Sequence, residues 1–337
     1  MRGLDRAPGR IDGLDLLRGI AIGLVLLRHV FPEPFAGAGV VGVVMFFALS
    51  GHLITGLLLD ELGRTGRVDL CRFYARRARR LVPALVVLVA GVVLVTLVLD
   101  PLGDRGRLLS TVVVALTWTG NLPVGHPSDA TFHLWTLATE EQFYLVWPAL
   151  LALAFARRRV ARALVLAGGG CLLACVATLV WLGDAPDLAY ALPTSWAVCF
   201  VIGAASRAFD PRAAVPSWAA PLALAALAAL SVVPLRGHAL TYLAGGPAIA
   251  ALTAVLLLSW RTWTEVSHPL LQALVALGTV SYGAYLWNYP LTLWLRPRLD
   301  SGAGPLAAGL TLLAAALSWR YVEQPLAARR SPVEVEA

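Results

Sequence analysis

Apolar segments long enough to cross a lipid bilayer recur along the whole of this 337-residue chain, and no other feature restricts its fold so severely. A membrane-crossing helix needs roughly 17–25 predominantly apolar residues. Leu81–Leu99, Ala163–Leu182 and Leu240–Leu258 are examples. Hydrophobic residues make up 58% of the chain and charged residues 14%, against roughly 45–50% and 25% in an ordinary soluble domain. A soluble fold of this length has too little interior to bury so much apolar surface. The expected architecture is therefore an all-α integral membrane bundle of about ten transmembrane helices. The segments are 14–31, 39–59, 81–99, 132–155, 163–182, 189–206, 217–235, 240–260, 270–295 and 304–322. A weaker stretch, 108–122, is short and broken by Gly120 and Asn121, and reads as a re-entrant or interfacial segment.

The net charge of +7 does not point to nucleic acid, because the basic residues gather at the ends of apolar segments rather than on one face of a soluble module. Every basic residue other than histidine is Arg. Positively charged loops mark the cytoplasmic side of a membrane protein. Arg2, Arg6 and Arg10 precede the first segment, and Arg64, Arg67, Arg72, Arg76, Arg77, Arg79 and Arg80 follow the second. With 108–122 kept from crossing, Arg157, Arg158, Arg159 and Arg162 also fall inside, while Asp184 and Asp187 fall outside. The expected layout is a cytoplasmic tail over 1–13, a membrane domain over 14–326 and a cytoplasmic tail over 327–337, multi-pass in the plasma membrane. Reporter fusions after Asp187 and after Arg261 should read outside and inside respectively; the opposite pair would sink this map. The first segment carries Arg18 and Arg28 and lacks the clean apolar stretch and cleavage site of a signal peptide, so it is expected to remain as a span. The four cysteines are expected to act as small hydrophobes.

Ionisable side chains at bilayer depth cost roughly 2.5–3.5 kcal/mol each on insertion scales, so each one is a functional-site hypothesis. In LDLLRGIAIGLVLLRH, Arg18 and His29 stand 11 residues apart. At 100° and 1.5 Å per residue they share one helix face, about 16 Å apart along the axis. The bland reading pairs Arg18 with Asp15 and makes His29 an interfacial histidine; the functional one makes His29 a proton acceptor. In FHLWTLATEEQFYLVWP, His133 and Glu140 are seven apart and would share a face of one continuous helix, with Glu141 beside them. Glu140 would orient a catalytic histidine or accept a hydroxyl proton itself. In FYARRARRLVPA, Arg77 and Arg80 lie about one turn apart. They either anchor the topology or hold phosphates of a soluble cytoplasmic cofactor. Gly37, Gly39 and Gly42 match a dinucleotide-binding spacing, but they lie between two apolar segments rather than between a strand and a helix, so the match carries nothing.

Taken in order, these segments resemble the membrane acyltransferase-3 family, whose members O-acylate polysaccharides, peptidoglycan, macrolides and similar acceptors. Arg18 and His29 meet its Arg-x10-His pattern, MFFALSGHLI resembles its second helix, and Arg77 and Arg80 meet its R-x-x-R element. HLWTLATEEQFYLVWP, VSYGAYLWNYPL and SWRYVEQPL follow in family order, so that the likeness covers residue 12 to about 330. The resemblance implies an acyl-CoA co-substrate, no metal and no other cofactor. It also implies transfer of an acyl group, expected to be acetyl, to a hydroxyl of a polysaccharide, glycolipid or macrolide. His29 is then expected to be the general base and Glu140 to orient it, if the first and fourth spans pack together. Arg18, Arg77 and Arg80 would serve the donor, with Asp15, His133, Glu141, Tyr144 and Glu323 in support. Two positions depart from the family: His52 stands where Phe is usual, and Asn288 where His is frequent. Asn288 can hydrogen-bond but cannot exchange a proton near neutral pH, so it is not expected to be catalytic. The lack of a soluble accessory domain leans the acceptor toward a small hydrophobic molecule such as a macrolide.

The rival from another class is a secondary transporter using buried His, Glu and Arg as a proton relay. Transporters often show two similar halves with paired broken helices. Here the polar sites concentrate in the first half and no repeat is visible. A membrane scaffold has no need of Glu140 or His29 and ranks third.

Overall fold

The structure, a computed structural model, describes residues 11–122, 127–209, 215–299 and 302–328. The N-terminal arginines Arg2, Arg6 and Arg10 and the end of the C-terminal tail lie outside the described residues. Among those residues there are helices and no strands. In a bilayer each backbone N–H and C=O must find its partner within the segment, which a helix provides. The elements run α1 Asp12–Val30, α2 Ala38–Thr65, α3 Leu70–Val98, α4 Leu108–Leu116, α5 Trp135–Ala156, α6 Val160–Leu182, α7 Ala197–Ala208, α8 Ala219–Val232, α9 Gly246–Trp260, α10 Pro269–Thr279, α11 Ser281–Leu299, α12 Ala303–Ser318 and α13 Gln324–Ala328. Every apolar segment read from the sequence falls on one or two of these helices.

Fewer than ten of the described helices are by themselves long and apolar enough to cross. Five of the described helices are long and apolar enough to span: α2, α3, α6, α9 with the π turn ahead of it, and α12 continued into α13. A broken pair, α10 with α11, makes a sixth if taken as one. The shortfall has local causes. Helix α1 is long enough but carries Asp12, Asp15, Arg18 and Arg28. Glu140, Glu141 and Gln142 make the first half of α5 polar. Helices α7 and α8 have 12 and 14 residues, or about 18 and 21 Å at 1.5 Å per residue, short of a core about 30 Å thick. The weak stretch 108–122 holds only α4, of nine residues. Segment 270–295 is interrupted at Val280, which caps α10 with φ −98° and ψ 12°.

The chain divides into two compact units. The first takes the described residues of Met1–Leu59, Arg157–Tyr190 and Thr194–Ser281. In it α1 packs along α10, α7 against α6 and α9, and α8 against α9. Glycine lets backbones touch, as small residues do between membrane helices. A Cβ on Gly19 would collide with the Leu274 carbonyl of α10, and one on Gly278 with the Asp15 carbonyl of α1, so the α1–α10 contact is closed from both sides. Phe47 stacks on Phe200 at 4.6 Å between centroids, joining α2 to α7.

The second unit takes the described residues of Asp60–Ala156, Ala191–Pro193 and Tyr282–Ala337. Its core joins Leu85, Leu88 and Val92 of α3 to Ala115 of α4, Leu137 of α5, and Leu286 and Trp294 of α11. Asp69 caps α3 by accepting from Arg72 N–H at 2.9 Å, satisfying one of the amides that a helix start leaves open. Three of the four cysteines, Cys171, Cys175 and Cys199, are half-buried or buried as expected. Cys71 instead lies exposed in the first turn of α3, so it is not part of an apolar interior.

Candidate functional site

The predicted site residues divide between the two units. The first unit holds Asp15, Arg18 and His29 on α1. Arg18 Nη1 donates to Asp15 Oδ1 at 2.8 Å one turn away, with Asp15 nearly buried. This is the pairing that the bland reading anticipated. The pair lies within α1, whereas Asp12 ties the helix start to a distant segment, its Oδ2 accepting from Val266 N–H at 3.0 Å. His29 stands half-buried in the last turn of α1. Because α1 is unbroken from Asp12 to Val30, the shared face and the separation of about 16 Å from Arg18 follow from helix geometry.

His52 also lies in this unit, buried on α2. Its Nδ1 is 2.8 Å from Ser206 Oγ on α7, and Ser206 donates its own proton to Gly203 O at 2.7 Å. The ring therefore donates to the serine oxygen, and the pair ties α2 to α7.

The second unit brings Arg77, Glu140, Glu141 and Tyr144 together. Arg77 Nη2 donates to Glu141 Oε1 at 3.2 Å, with side chains 18% and 20% exposed. The guanidinium also lies over the Tyr144 ring, 3.4 Å from its centroid. Tyr144 Oη donates to Glu140 Oε1 at 2.8 Å. One arginine thus organises both adjacent carboxylates, Glu141 directly and Glu140 through the tyrosine it covers. A planar guanidinium can lie flat on the ring while donating from its edge, a geometry that an ammonium lacks. Tyr74, one turn before Arg77, donates to the Leu145 carbonyl at 3.1 Å and pins α3 to α5. The sequence reading did not single out Tyr74; its spacing of three from Arg77 was the available signal. Arg77 Nε remains buried with no acceptor among the described residues. Arg80 is exposed and within electrostatic reach of Glu323. Glu323 is buried in the π turn after α12 and accepts from Ser318 Oγ at 2.8 Å.

His133 corrects the sequence reading. It belongs to a 3-10 turn, Asp129–Leu134, ahead of α5, so seven residues at 100° do not place it on Glu140's face. Its Nε2 is 3.0 Å from the Leu286 carbonyl of α11, and its ring faces Tyr285 and Tyr289. Gln142 exchanges hydrogen bonds of 2.8 and 2.9 Å with Asn121. Asn288 is buried and donates to Thr311 Oγ1 at 3.4 Å, a link from α11 to α12. Among the described residues no group of three or more His, Cys, Asp or Glu is placed to hold a metal ion.

The sequence profile of a family described as an acyltransferase domain, acyltransferase-3, matches residues 11–321. The chain belongs to this family. Three relatives are similar to it over most of its length. It is 29% identical to peptidoglycan O-acetyltransferase OatA of Listeria monocytogenes, covering 94% of this chain and 56% of that protein. It is 26% identical to O-acetyltransferase OatA of Staphylococcus aureus strain NCTC 8325, covering 95% and 58%. It is 29% identical to putative peptidoglycan O-acetyltransferase YrhL of Bacillus subtilis, covering 94% and 55%. The chain thus spans a little over half the length of these curated relatives. No solved structure matches it. Membership of the acyltransferase-3 family, with helices able to span a bilayer, makes this an integral membrane protein.

Proposed function

We propose that this chain is a membrane O-acyltransferase that moves an acyl group, acetyl in the first instance, from acyl-CoA to a hydroxyl of a carbohydrate acceptor. The observation that carries the reading is the family match over residues 11–321, which takes in both units and every predicted site residue except Glu323. The relatives' names favour acetyl as the group and peptidoglycan, a carbohydrate, over the macrolide toward which the sequence leaned. Nothing in them supports a transporter.

In the proposed reaction His29 accepts the acceptor's hydroxyl proton while that oxygen attacks the thioester carbonyl. The C–S bond then breaks and CoA leaves as a thiolate, which takes up a proton. Because CoA thiolate leaves readily, neither a metal nor an acyl-enzyme intermediate is required. Within the second unit, Glu140 is held by Tyr144 and Glu141 by Arg77. Ten crossings with both tails in the cytoplasm remain the topology of this reading. It draws support from pairings that lower the cost of charge in α1 and α5, Asp15 with Arg18 and Arg77 with Glu141.

The donor would be held by Arg80, exposed at the arginine-rich start of α3, and by the open Nε of Arg77. Arg80→Ala should raise KM for acyl-CoA roughly ten- to a hundredfold, the loss of one charge-assisted hydrogen bond of about 1.5–3 kcal/mol. KM for the acceptor should stay near wild type, and Arg80→Lys should rescue only in part. The test is transfer of deuterated acetyl from acetyl-CoA to peptidoglycan by purified protein in nanodiscs. An Arg80→Ala variant with unchanged donor KM would leave this arginine as a topology anchor only. Labelled acetyl appearing on no hydroxyl, from a protein that is folded, would overturn the reading itself.

A further inference from the structure

A cavity of about 250 Å³ opens in the second unit between α4 and the 3-10 turn Asp129–Leu134. Arg107, Ser128, Asp129, Thr131 and Phe132 line it, over a floor that includes Ala115 and Leu134. None of the residues assigned above to the reaction lines it. Its polar groups are split between a fixed frame and free ends. Thr111 Oγ1 accepts from Ser128 N–H at 2.7 Å and donates to the Arg107 carbonyl at 2.9 Å, fastening the turn to α4. Thr131 Oγ1 donates to the Ser128 carbonyl at 2.9 Å. Ser128 Oγ accepts from Ala130 N–H at 3.2 Å, which leaves its own proton to donate elsewhere.

Arg107 and Asp129 are both exposed, and neither side chain has a partner among the described residues. This sets them apart from Arg77, Arg18 and Arg105, whose guanidinium groups are already engaged. The wall therefore offers a cationic donor, a hydroxyl donor and a carboxylate acceptor on a rigid frame, beside the ring of Phe132. A site for a simple anion would not place a carboxylate in its own lining. Neighbouring hydroxyls on a pyranose supply both acceptors and donors, and one face of the ring is apolar enough to lie on an aromatic side chain. The volume falls just below the roughly 300–1,000 Å³ of pockets for drug-sized ligands, so it accommodates one ring.

We propose that this cavity binds one sugar ring of the carbohydrate acceptor, with Asp129 accepting from its hydroxyls and Arg107 and Ser128 donating to them. The substrate class rests on the acyltransferase reading above, but the binding is measurable without turnover. The experiment titrates the full protein in nanodiscs with the N-acetylglucosamine–N-acetylmuramic acid disaccharide, by calorimetry and saturation-transfer NMR. The wild type is compared with Asp129→Asn and Arg107→Gln, surface changes that should leave helicity intact. Each variant should raise Kd at least tenfold, about 1.4 kcal/mol, and saturation should reach the ring protons that face Phe132. Acetyl transfer to peptidoglycan by wild-type protein is followed in parallel. Equal affinity in wild type and both variants, or no disaccharide binding to the wild type, overturns the site. So does displacement of the sugar by inorganic phosphate at comparable affinity, which would make this an anion site. If transfer persists in those cases, the acyltransferase reading survives without the cavity; if transfer is absent while the disaccharide binds as described, the reverse holds.

Discussion

Replacing His29 by Ala should lower acetyl transfer by about 10²–10⁴-fold, the span of a positioned general base, while the protein still inserts and binds acyl-CoA. An alcohol holds its proton far too tightly to attack a thioester quickly at neutral pH, so removing the base leaves the slow reaction of the neutral hydroxyl. The position of His29 fits the role: it is half-buried, in the last turn of an unbroken α1. The companion α1 cation, Arg18, is already neutralised by Asp15. For the intact enzyme kcat/KM should fall toward acid pH, because a protonated imidazole cannot accept a proton. A His29→Ala protein that keeps more than about a tenth of the wild-type rate would exclude this role, being above even the modest end of general-base catalysis.

The second large effect belongs to Arg77. Arg77→Ala removes the partner of Glu141 and the cation over Tyr144 in a region where both acidic groups are largely enclosed. Breaking a fully buried pair costs about 3–5 kcal/mol; with each partner about a fifth exposed, a loss of about 2–3 kcal/mol is expected. Thermal unfolding in detergent measures it. Adding Glu141→Gln to Arg77→Ala should restore most of the stability, because the carboxylate that paired directly with Arg77 is then neutral, and the cycle of four proteins isolates the coupling. The same double variant separates the two uses of Arg77. If stability returns but KM for acyl-CoA stays high, the open Nε contacts the donor. If both return, Arg77 is a positioning residue for Glu140 and Glu141. A single variant as stable as wild type would show that the pair contributes nothing.

Much of the local structure could be read from the chain. Ten apolar segments became helices, the stretch broken by Gly120 and Asn121 held only a nine-residue helix, and the Asp15–Arg18 pair was visible as a spacing of three. The reading went wrong where it extended helical periodicity across a boundary that apolarity does not mark. The 3-10 turn at Asp129–Leu134 took His133 off Glu140's face. Helices α7 and α8 are shorter than the apolar segments that hold them, so apolarity alone did not give helix length there.

The sequence by itself determined that this chain is helical and belongs in a membrane. Both follow from local quantities, the apolar area along a segment and the need of each backbone group to be satisfied within it. It also singled out the candidate site residues, since ionisable groups in apolar runs stand out against their surroundings. Only the tertiary structure decided the partners. Arg77 reaches Glu141 across 64 residues, His52 reaches Ser206 across 154, and the ring of His133 meets a carbonyl 153 residues away. No periodicity within a segment carries that information, because it depends on which helices become neighbours and at what rotation. Packing also made the α4 cavity, by fastening Ser128 to Thr111 and leaving Arg107 and Asp129 at its rim unengaged among the described residues.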